Sequence, residues 1–181
     1  MRIMKMMTPR WSVLVGMIVL AALSRLLPHP YNFAPITAVA LFGGAKFDDW
    51  KTAFSVPLVA LLLGDFLLGF YQGMWVVYLA FALMVVVSRV FLRREPGVLR
   101  ITSLTLGSSI FFYLFTNLTV WPIHHLFPKT LDGQIASYLA ALPFFQNTLL
   151  GDAFYTAVLF GGWALLERSV PSLKLKPRLA R

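Results

Sequence analysis

The chain has no cysteine, so it forms no disulfide, thiolate metal site, iron–sulfur cluster or cysteine nucleophile. Charge is scarce as well: 13% of its 181 residues are charged, against about 25% in an ordinary soluble domain. Acidic residues are scarcest, 7 Asp and Glu facing 16 Lys and Arg. The sequence contains no Gly-x-x-x-x-Gly-Lys-Ser/Thr phosphate loop. These absences exclude a water-soluble enzyme and an ATPase module within this chain. What is present is apolar: 59% of the residues are hydrophobic, and the mean hydropathy is +0.75. The basic residues sit in short clusters between long apolar runs, the pattern of cytoplasmic loops in a membrane protein. A nucleic-acid surface would carry its basic residues on a polar chain, so membrane lipid is the expected surrounding and nucleic acid is not an expected partner.

A helix needs about 20 mainly apolar residues to cross the hydrocarbon core. Runs at 11–27, 35–47, 53–71, 74–92, 101–120 and 147–166 predict six crossings of an all-α membrane protein. The second is short and is expected to be partial or to start below the membrane surface. Residues 132–145 alternate polar and apolar positions at near-helical spacing, which predicts an interfacial or re-entrant helix before the last span. The first run begins like a signal peptide, but Arg25 and Pro28 stand where a small-residue cleavage site belongs, so it reads as a retained helix. Six crossings put both termini on one side. That side then receives Arg2, Lys5, Arg10, Lys46, Lys51, Arg89, Arg93, Arg94, Arg100, Arg168, Lys174, Lys176, Arg178 and Arg181, leaving Arg25 and Lys129 on the other. The positive-inside rule makes that side cytoplasmic. Tyr71, Trp75, Tyr78 and Trp121 are expected to form an outer aromatic belt, with Trp11 and Trp50 at the inner surface. The whole chain, 1–181, reads as one integral-membrane domain with a basic N-terminus at 1–10 and a basic tail at 167–181 that lies on anionic lipid.

Ionisable groups inside a span are costly unless paired or hydrated, so each is a functional candidate. Arg25, Asp65 and Asp152 fall within the runs, all in the outer half of the bilayer under the orientation above. Asn32, Asn117 and Asn147 fall at similar depth. The fifth run carries Thr105, Ser109, Tyr113, Thr116 and Asn117 at three- and four-residue spacing, a polar stripe on one face. These residues predict an outward-open polar pocket in which Arg25, Asn32, Asp65, Asn117, Asn147 and Asp152 contact a small polar solute and Trp121 closes the mouth by stacking. The bland alternative makes Arg25 a structural partner of one aspartate and the stripe interhelical hydrogen bonding. One arginine cannot fully compensate two carboxylates, so the site either holds a proton or welcomes a cationic or hydrogen-bond-donating ligand. His29 lies at the surface, where a compensating role is the lesser reading. Neither a metal nor another cofactor is expected: His124 and His125 are adjacent, point apart on a helix and lack a carboxylate cluster.

Asn32-Phe33-Ala34-Pro35-Ile36 reads as a helix start with proline in the first turn, which would leave unpaired amides within the bilayer facing a polar group. Leu62-Leu63-Gly64-Asp65 recurs as Leu149-Leu150-Gly151-Asp152, with Pro57 and Pro143 upstream, on helices that run oppositely as an inverted repeat requires. Gly43-Gly44, Gly64, Gly69, Gly151 and Gly161-Gly162 are expected at close helix packing.

The segment from Leu26 to Ile36, Phe42-Gly43-Gly44-Ala45, Gly64-Asp65, Thr116-Asn117 with Trp121, Phe127-Pro128-Lys129-Thr130, Pro143-Phe144-Phe145, Asn147-Thr148 and Gly151-Asp152 together resemble an uncharacterised family of small bacterial membrane proteins. That family is similar to the substrate-binding S components of energy-coupling factor (ECF) vitamin transporters. The resemblance covers nearly the whole chain, and Asn-Phe-x-Pro-Ile and Asn-Thr-x-x-Gly-Asp are its most specific parts. It implies residence in the bacterial cytoplasmic membrane, capture of a vitamin-like solute, and coupling through a transmembrane T component and two cytoplasmic ATPases. S components dock through small residues on the first helix; here Ser12 and Gly16 fit that pattern and Leu20 departs from it. The competing readings are a stand-alone proton-coupled transporter, an accessory structural subunit, and an intramembrane aspartyl protease. The last conflicts with Leu63 and Leu150, where such proteases place glycine two positions before the aspartate. A non-enzymatic binding and transport role is the preferred expectation.

Overall fold

Residues 8–93, 96–123 and 126–174 are described by the structure, a computed structural model. Helices α1 (Pro9–Leu23), α2 (Ile36–Lys46), α3 (Trp50–Leu68), α4 (Met74–Phe91), α5 (Val98–Val120), α6 (Leu131–Thr156) and α7 (Gly162–Ser169) follow in order. A π-helical turn at Ala157–Gly161 joins α6 to α7 without a break, and 3₁₀ turns lie at Ser24–Leu26 and Pro171–Leu173. No strand occurs among the described residues. Among the described residues, the stretches Pro9–Leu26, Trp50–Leu68, Met74–Phe91, Val98–Thr119 and Leu131–Ser169 are the 5 that are long and apolar enough to cross a membrane. His124, His125, Arg2, Lys5, Arg94, Lys176, Arg178 and Arg181, which enter the sequence arguments, lie outside the described residues.

The structure agrees with the expectation of a short second helix and departs from that of a separate interfacial helix. The second run forms α2, 11 residues long, or about 16 Å at 1.5 Å per residue, which is short of a crossing. The predicted interfacial helix is not a separate element: residues 131–169 form one continuous 39-residue stretch with Pro143 inside it. Proline removes a backbone donor and ordinarily breaks a helix. Here α5 props the region around it. The Tyr113 hydroxyl donates to the Tyr138 carbonyl at 2.7 Å, the Tyr138 hydroxyl donates to the Leu114 carbonyl at 2.8 Å, and the Tyr113 and Phe145 rings pack 4.6 Å apart. These contacts hold α6 against α5 around the proline, and packing against a neighbouring helix is one means by which apolar helices tolerate it.

α2 is apolar around its whole circumference, which suits an element surrounded on every side. Of its residues, Thr37 through Ala45 are buried. Glycines let its neighbours approach. A Cβ on Gly43 would lie 2.1 Å from the Pro57 ring of α3, and one on Gly44 would lie 2.5 Å from the Val85 carbonyl of α4. Phe42 packs edge-on against Phe160 at 5.3 Å and Trp163 at 6.4 Å. α4 holds the C-terminal part of α2: Ser88 donates to the Leu41 carbonyl within the helix, and the Arg89 guanidinium donates to the Phe47 and Asp48 carbonyls just past its end. A cation at a helix C-terminus also complements the helix dipole.

α3 starts on Asp49, whose carboxylate accepts from the Thr52 amide at 2.9 Å and from the Thr52 hydroxyl, the usual N-cap arrangement. Burial opposes its charge, but these hydrogen bonds outweigh that and hold the carboxyl below the usual carboxylate range. At the same end of the bundle Arg10 of α1 meets Glu167 of α7 at 2.8 Å, donates to the Leu173 carbonyl at 2.7 Å, and stacks over Trp163. This end, which also carries Arg93 and Arg168, is the basic end. The other end carries Asn117, Trp121 and the segment 27–35.

Candidate functional site

Charged and polar side chains gather around the start of α2 in two groups. In the first, Arg25 leaves the 3₁₀ turn that closes α1, and its Nη1 lies 2.8 Å from Asp65 Oδ1 of α3. The contact is a charge pair whose angles miss a linear hydrogen bond. The Tyr78 hydroxyl of α4 donates to Asp65 Oδ2 at 2.9 Å. Gly64 clears the path for the arginine, since a Cβ there would stand 3.1 Å from Nη1. Asp65 is 1% exposed and the Arg25 side chain 12%. Tyr71, in the turn after α3, is 45% exposed near this pair; the covered part of its ring pushes the phenol up to about 12, with Asp65 adding and Arg25 offsetting. The void beside Arg25, Pro35 and Phe81 measures about 10 Å³, too small to hold a solute.

In the second group Asp152 of α6, 2% exposed, accepts a hydrogen bond from Ser109 of α5 at 2.6 Å, with the Thr37 side chain of α2 beside the same carboxylate. No basic side chain among the described residues pairs with it. Gly151 lets the chain before α2 come close: a Cβ there would lie 3.1 Å from the Ala34 amide nitrogen and from Phe33 Cα. One turn further along, Thr105 and Thr156 hydroxyls lie 3.3 Å apart. Thr37 is in the first turn of α2, so Asp152 stands near the positive end of a buried helix. The polar group expected opposite that helix start is supplied by the chain itself. Both Leu-Leu-Gly-Asp segments therefore do the same work, a glycine admitting another segment beside a buried carboxylate, on oppositely running helices.

The remaining sequence candidates lie apart from these groups. Asn147 donates to the Tyr31 carbonyl at 2.9 Å and ties α6 to the segment before α2, where Asn32 adopts a left-handed backbone with φ of 64°. Asparagine tolerates that conformation better than most residues. Asn117 donates to the Tyr113 carbonyl of its own helix at 2.8 Å. Trp121 is folded onto its own loop: its indole donates to the Pro128 carbonyl at 3.2 Å, and Lys129 donates to the Trp121 carbonyl. His29 is exposed and bonded to the Leu27 carbonyl. Asp65 and Asp152 thus have separate partners. Tyr78, expected in an outer belt, instead turns inward to Asp65, while Tyr71 and Trp75 remain exposed.

The large cavity also lies elsewhere than expected. A cleft of about 1980 Å³ opens at the basic end between α5 and the α6–α7 stretch, and its deepest lining residues are Ser109 and Leu149. The expected position was the opposite end, near Asn117 and Trp121. There Tyr113, Tyr138 and Phe145 fill the space between α5 and α6. Toward the basic end the facing residues of α6 and α7 are small, Ala153, Ala157, Gly161 and Ala164, and leave the helices uncovered. The sequence signal for this cleft is that run of small residues at helical spacing.

The fold and these buried charges define an all-helical protein with helices fit to cross a membrane. The chain belongs to a family of unknown function, DUF6580, which it matches over residues 5–173. No curated protein and no solved structure matches it.

Proposed function

We propose that the chain is a membrane solute-binding and transport subunit, similar in design to ECF S components, that captures a small polar vitamin-like solute. The observation that carries this reading is the cleft of about 1980 Å³ that ends at Ser109, directly beside the buried Asp152. Ligand sites are usually concave, mostly apolar and furnished with a few convergent polar groups, which describes this cleft. The face of α1 formed by Ser12, Gly16 and Leu20 adds support: Ser12 and Leu20 are exposed, and nothing lies within 4 Å of a Cβ on Gly16. Such a face is open for a transmembrane T component, with cytoplasmic ATPases completing the assembly.

The same reading sets the chain in the bacterial cytoplasmic membrane with α1 to α6 as six passes, α2 being completed by the segment before it, and both termini inside. The basic end is then cytoplasmic and the cleft faces inward, so the structure is the release-facing state. Because the chain lacks cysteine, single introduced cysteines report the topology directly. Ser172→Cys is expected to react with an impermeant maleimide only in inverted vesicles, and Lys129→Cys only in intact spheroplasts. The reverse pattern would refute the orientation.

The functional test is a thermal-shift screen of detergent-purified protein against vitamins and their precursors. A ligand at 100 times its Kd adds about 2.7 kcal/mol to native stability. A stabilising solute is expected, and Asp152→Asn is expected to weaken it at least tenfold while leaving the apo melting temperature within a few degrees. A panel with no stabilising solute counts against the reading.

A second reading, proton-coupled transport by the chain alone, is favoured by Asp152 being held by hydroxyls with no cationic partner among the described residues. Uptake into vesicles holding this protein alone, driven by a pH gradient, separates it from the first.

A further inference from the structure

We infer that the cleft seats an anionic phospholipid, its headgroup at the basic rim and one acyl chain along the groove between α5 and α6. The inference rests on the membrane placement proposed above and not on the identity of the solute; lipid and solute occupy this cleft in turn, so a bound solute is expected to displace the acyl chain from its Ser109 end.

The groove walls suit a hydrocarbon chain. On one side Ala153, Ala157, Gly161 and Ala164 are exposed on the outside of the bundle, so the groove is open sideways. On the other side Thr102, Thr105 and Ser109 line it; the Thr102 and Thr105 hydroxyls donate to carbonyls one turn back on their own helix, at 3.0 and 2.9 Å, and the Ser109 hydroxyl gives its proton to Asp152 at 2.6 Å. Hydroxyls bonded in this way present methyl and methylene surface at little polar cost. A small-residue wall without side chains to fill it leaves apolar surface uncovered, and in a bilayer the available cover is lipid.

The dimensions agree with one leaflet. The lined part of α5 runs from Val98 to Ser109, a rise of about 17 Å at 1.5 Å per residue. Half of a hydrocarbon core of about 30 Å is about 15 Å. A chain entering at the basic end thus reaches Ser109 at the depth where an acyl chain ends.

The rim carries the complementary charge. Arg93, Arg168 and Lys174 are exposed there and come from three different segments, the end of α4, the end of α7 and the residue after the last 3₁₀ turn. Among the described residues the acidic rim residues are Asp48 and Glu167, and Glu167 is already paired with Arg10. Each basic side chain near an anionic surface adds to the attraction, and the attraction falls off within a Debye length. A phosphate headgroup at this level, with its chain in the groove, satisfies both parts of the site at once.

The test uses full-length protein stripped of lipid in a neutral detergent, then offered phosphatidylglycerol or phosphatidylcholine in mixed micelles, with native mass spectrometry and thermal shift as readouts. Phosphatidylglycerol is expected to be retained at about one per chain and to raise the melting temperature, with at least tenfold weaker retention of phosphatidylcholine. The triple variant Arg93→Gln, Arg168→Gln, Lys174→Gln is expected to lose that preference. Ala157→Phe, at an exposed position where the fold tolerates bulk, is expected to lose retention of both lipids. Equal retention of the two lipids, or a triple variant that binds like wild type, overturns the inference. So does equal stabilisation by glycerol phosphate, which would mark a site for a soluble anion. Solute binding in the screen with no lipid preference here leaves the transport reading standing and removes this one; the converse removes only the transport reading.

Discussion

Asp65→Ala is expected to cost the folded protein about 3–5 kcal/mol, the usual penalty for removing one partner of a buried ion pair. The cost comes from what remains. The Arg25 side chain is 12% exposed, and its Nη1 has Asp65 as its charge partner and no hydrogen bond to replace it. Arg25→Met should cost a similar amount, because Tyr78 alone would then face the Asp65 carboxylate, 1% exposed. Replacing both, as Arg25→Met with Asp65→Leu, is expected to restore most of the loss, since buried pairs often give way to apolar residues at little net cost. Unfolding titrations in detergent across wild type, Arg25→Met, Asp65→Leu and the double variant give the coupling energy. If the two losses simply add, the pair is not a coupled structural unit. This cycle also bears on function: with a void of only about 10 Å³ beside it, the pair is expected to act as a clamp between α1 and α3, and the double variant should keep its solute and lipid binding.

Gly44→Val is the second large effect, expected to cost about 3 kcal/mol or more. Overpacking a close-packed interior ordinarily costs about 1–3 kcal/mol when flexible side chains can move aside. At Gly44 the first atom met is the Val85 carbonyl oxygen, at 2.5 Å, followed by Ser88 Cβ at 2.8 Å. Backbone cannot rotate away, so α2 and α4 must separate. That separation also strains the Ser88 bond to Leu41 and the Arg89 bonds to Phe47 and Asp48, which close the end of α2. Gly107→Ala is the matched control, with nothing within 4 Å of its Cβ. It should be neutral or stabilising by up to about 1 kcal/mol through helix propensity. Equal losses at the two positions would mean that α2 is not the tightly held centre of the bundle.

The small-residue surfaces explain where the bundle is rigid and where it is open. Gly43, Gly44, Gly64 and Gly151 are each met by a neighbouring segment. Gly161 meets nothing within 4 Å and lines the cleft with Ala153, Ala157 and Ala164. Composition does not separate the two kinds, because a small residue permits close approach without requiring it. The π-helical turn at Ala157–Gly161 lies in the cleft wall as well, and such turns frequently mark functional positions in helices. In the proposed transport cycle this wall is the element expected to move between loaded and released states.

The long apolar runs, the short second helix and the buried charges of Arg25, Asp65 and Asp152 were legible from the sequence, because hydropathy and the cost of burying charge act locally along the chain. Pro143 misled the reading of 132–145, since the hydroxyl of Tyr113 that steadies the Tyr138 carbonyl comes from another helix. The partners of the carboxylates were likewise settled only in three dimensions. Tyr78 stands 13 residues from Asp65, and Ser109 stands 43 residues from Asp152. Which end of the α5–α6 pair is filled by aromatic rings and which is left open depends on register between two helices, and no local pattern encodes that register. The sequence by itself determined an apolar, all-helical chain with charges placed too deep to be idle. The tertiary structure decided that two of those charges clamp α1 to α3, that the third faces the start of α2, and that the cleft opens at the basic end, because each depends on which helix faces which.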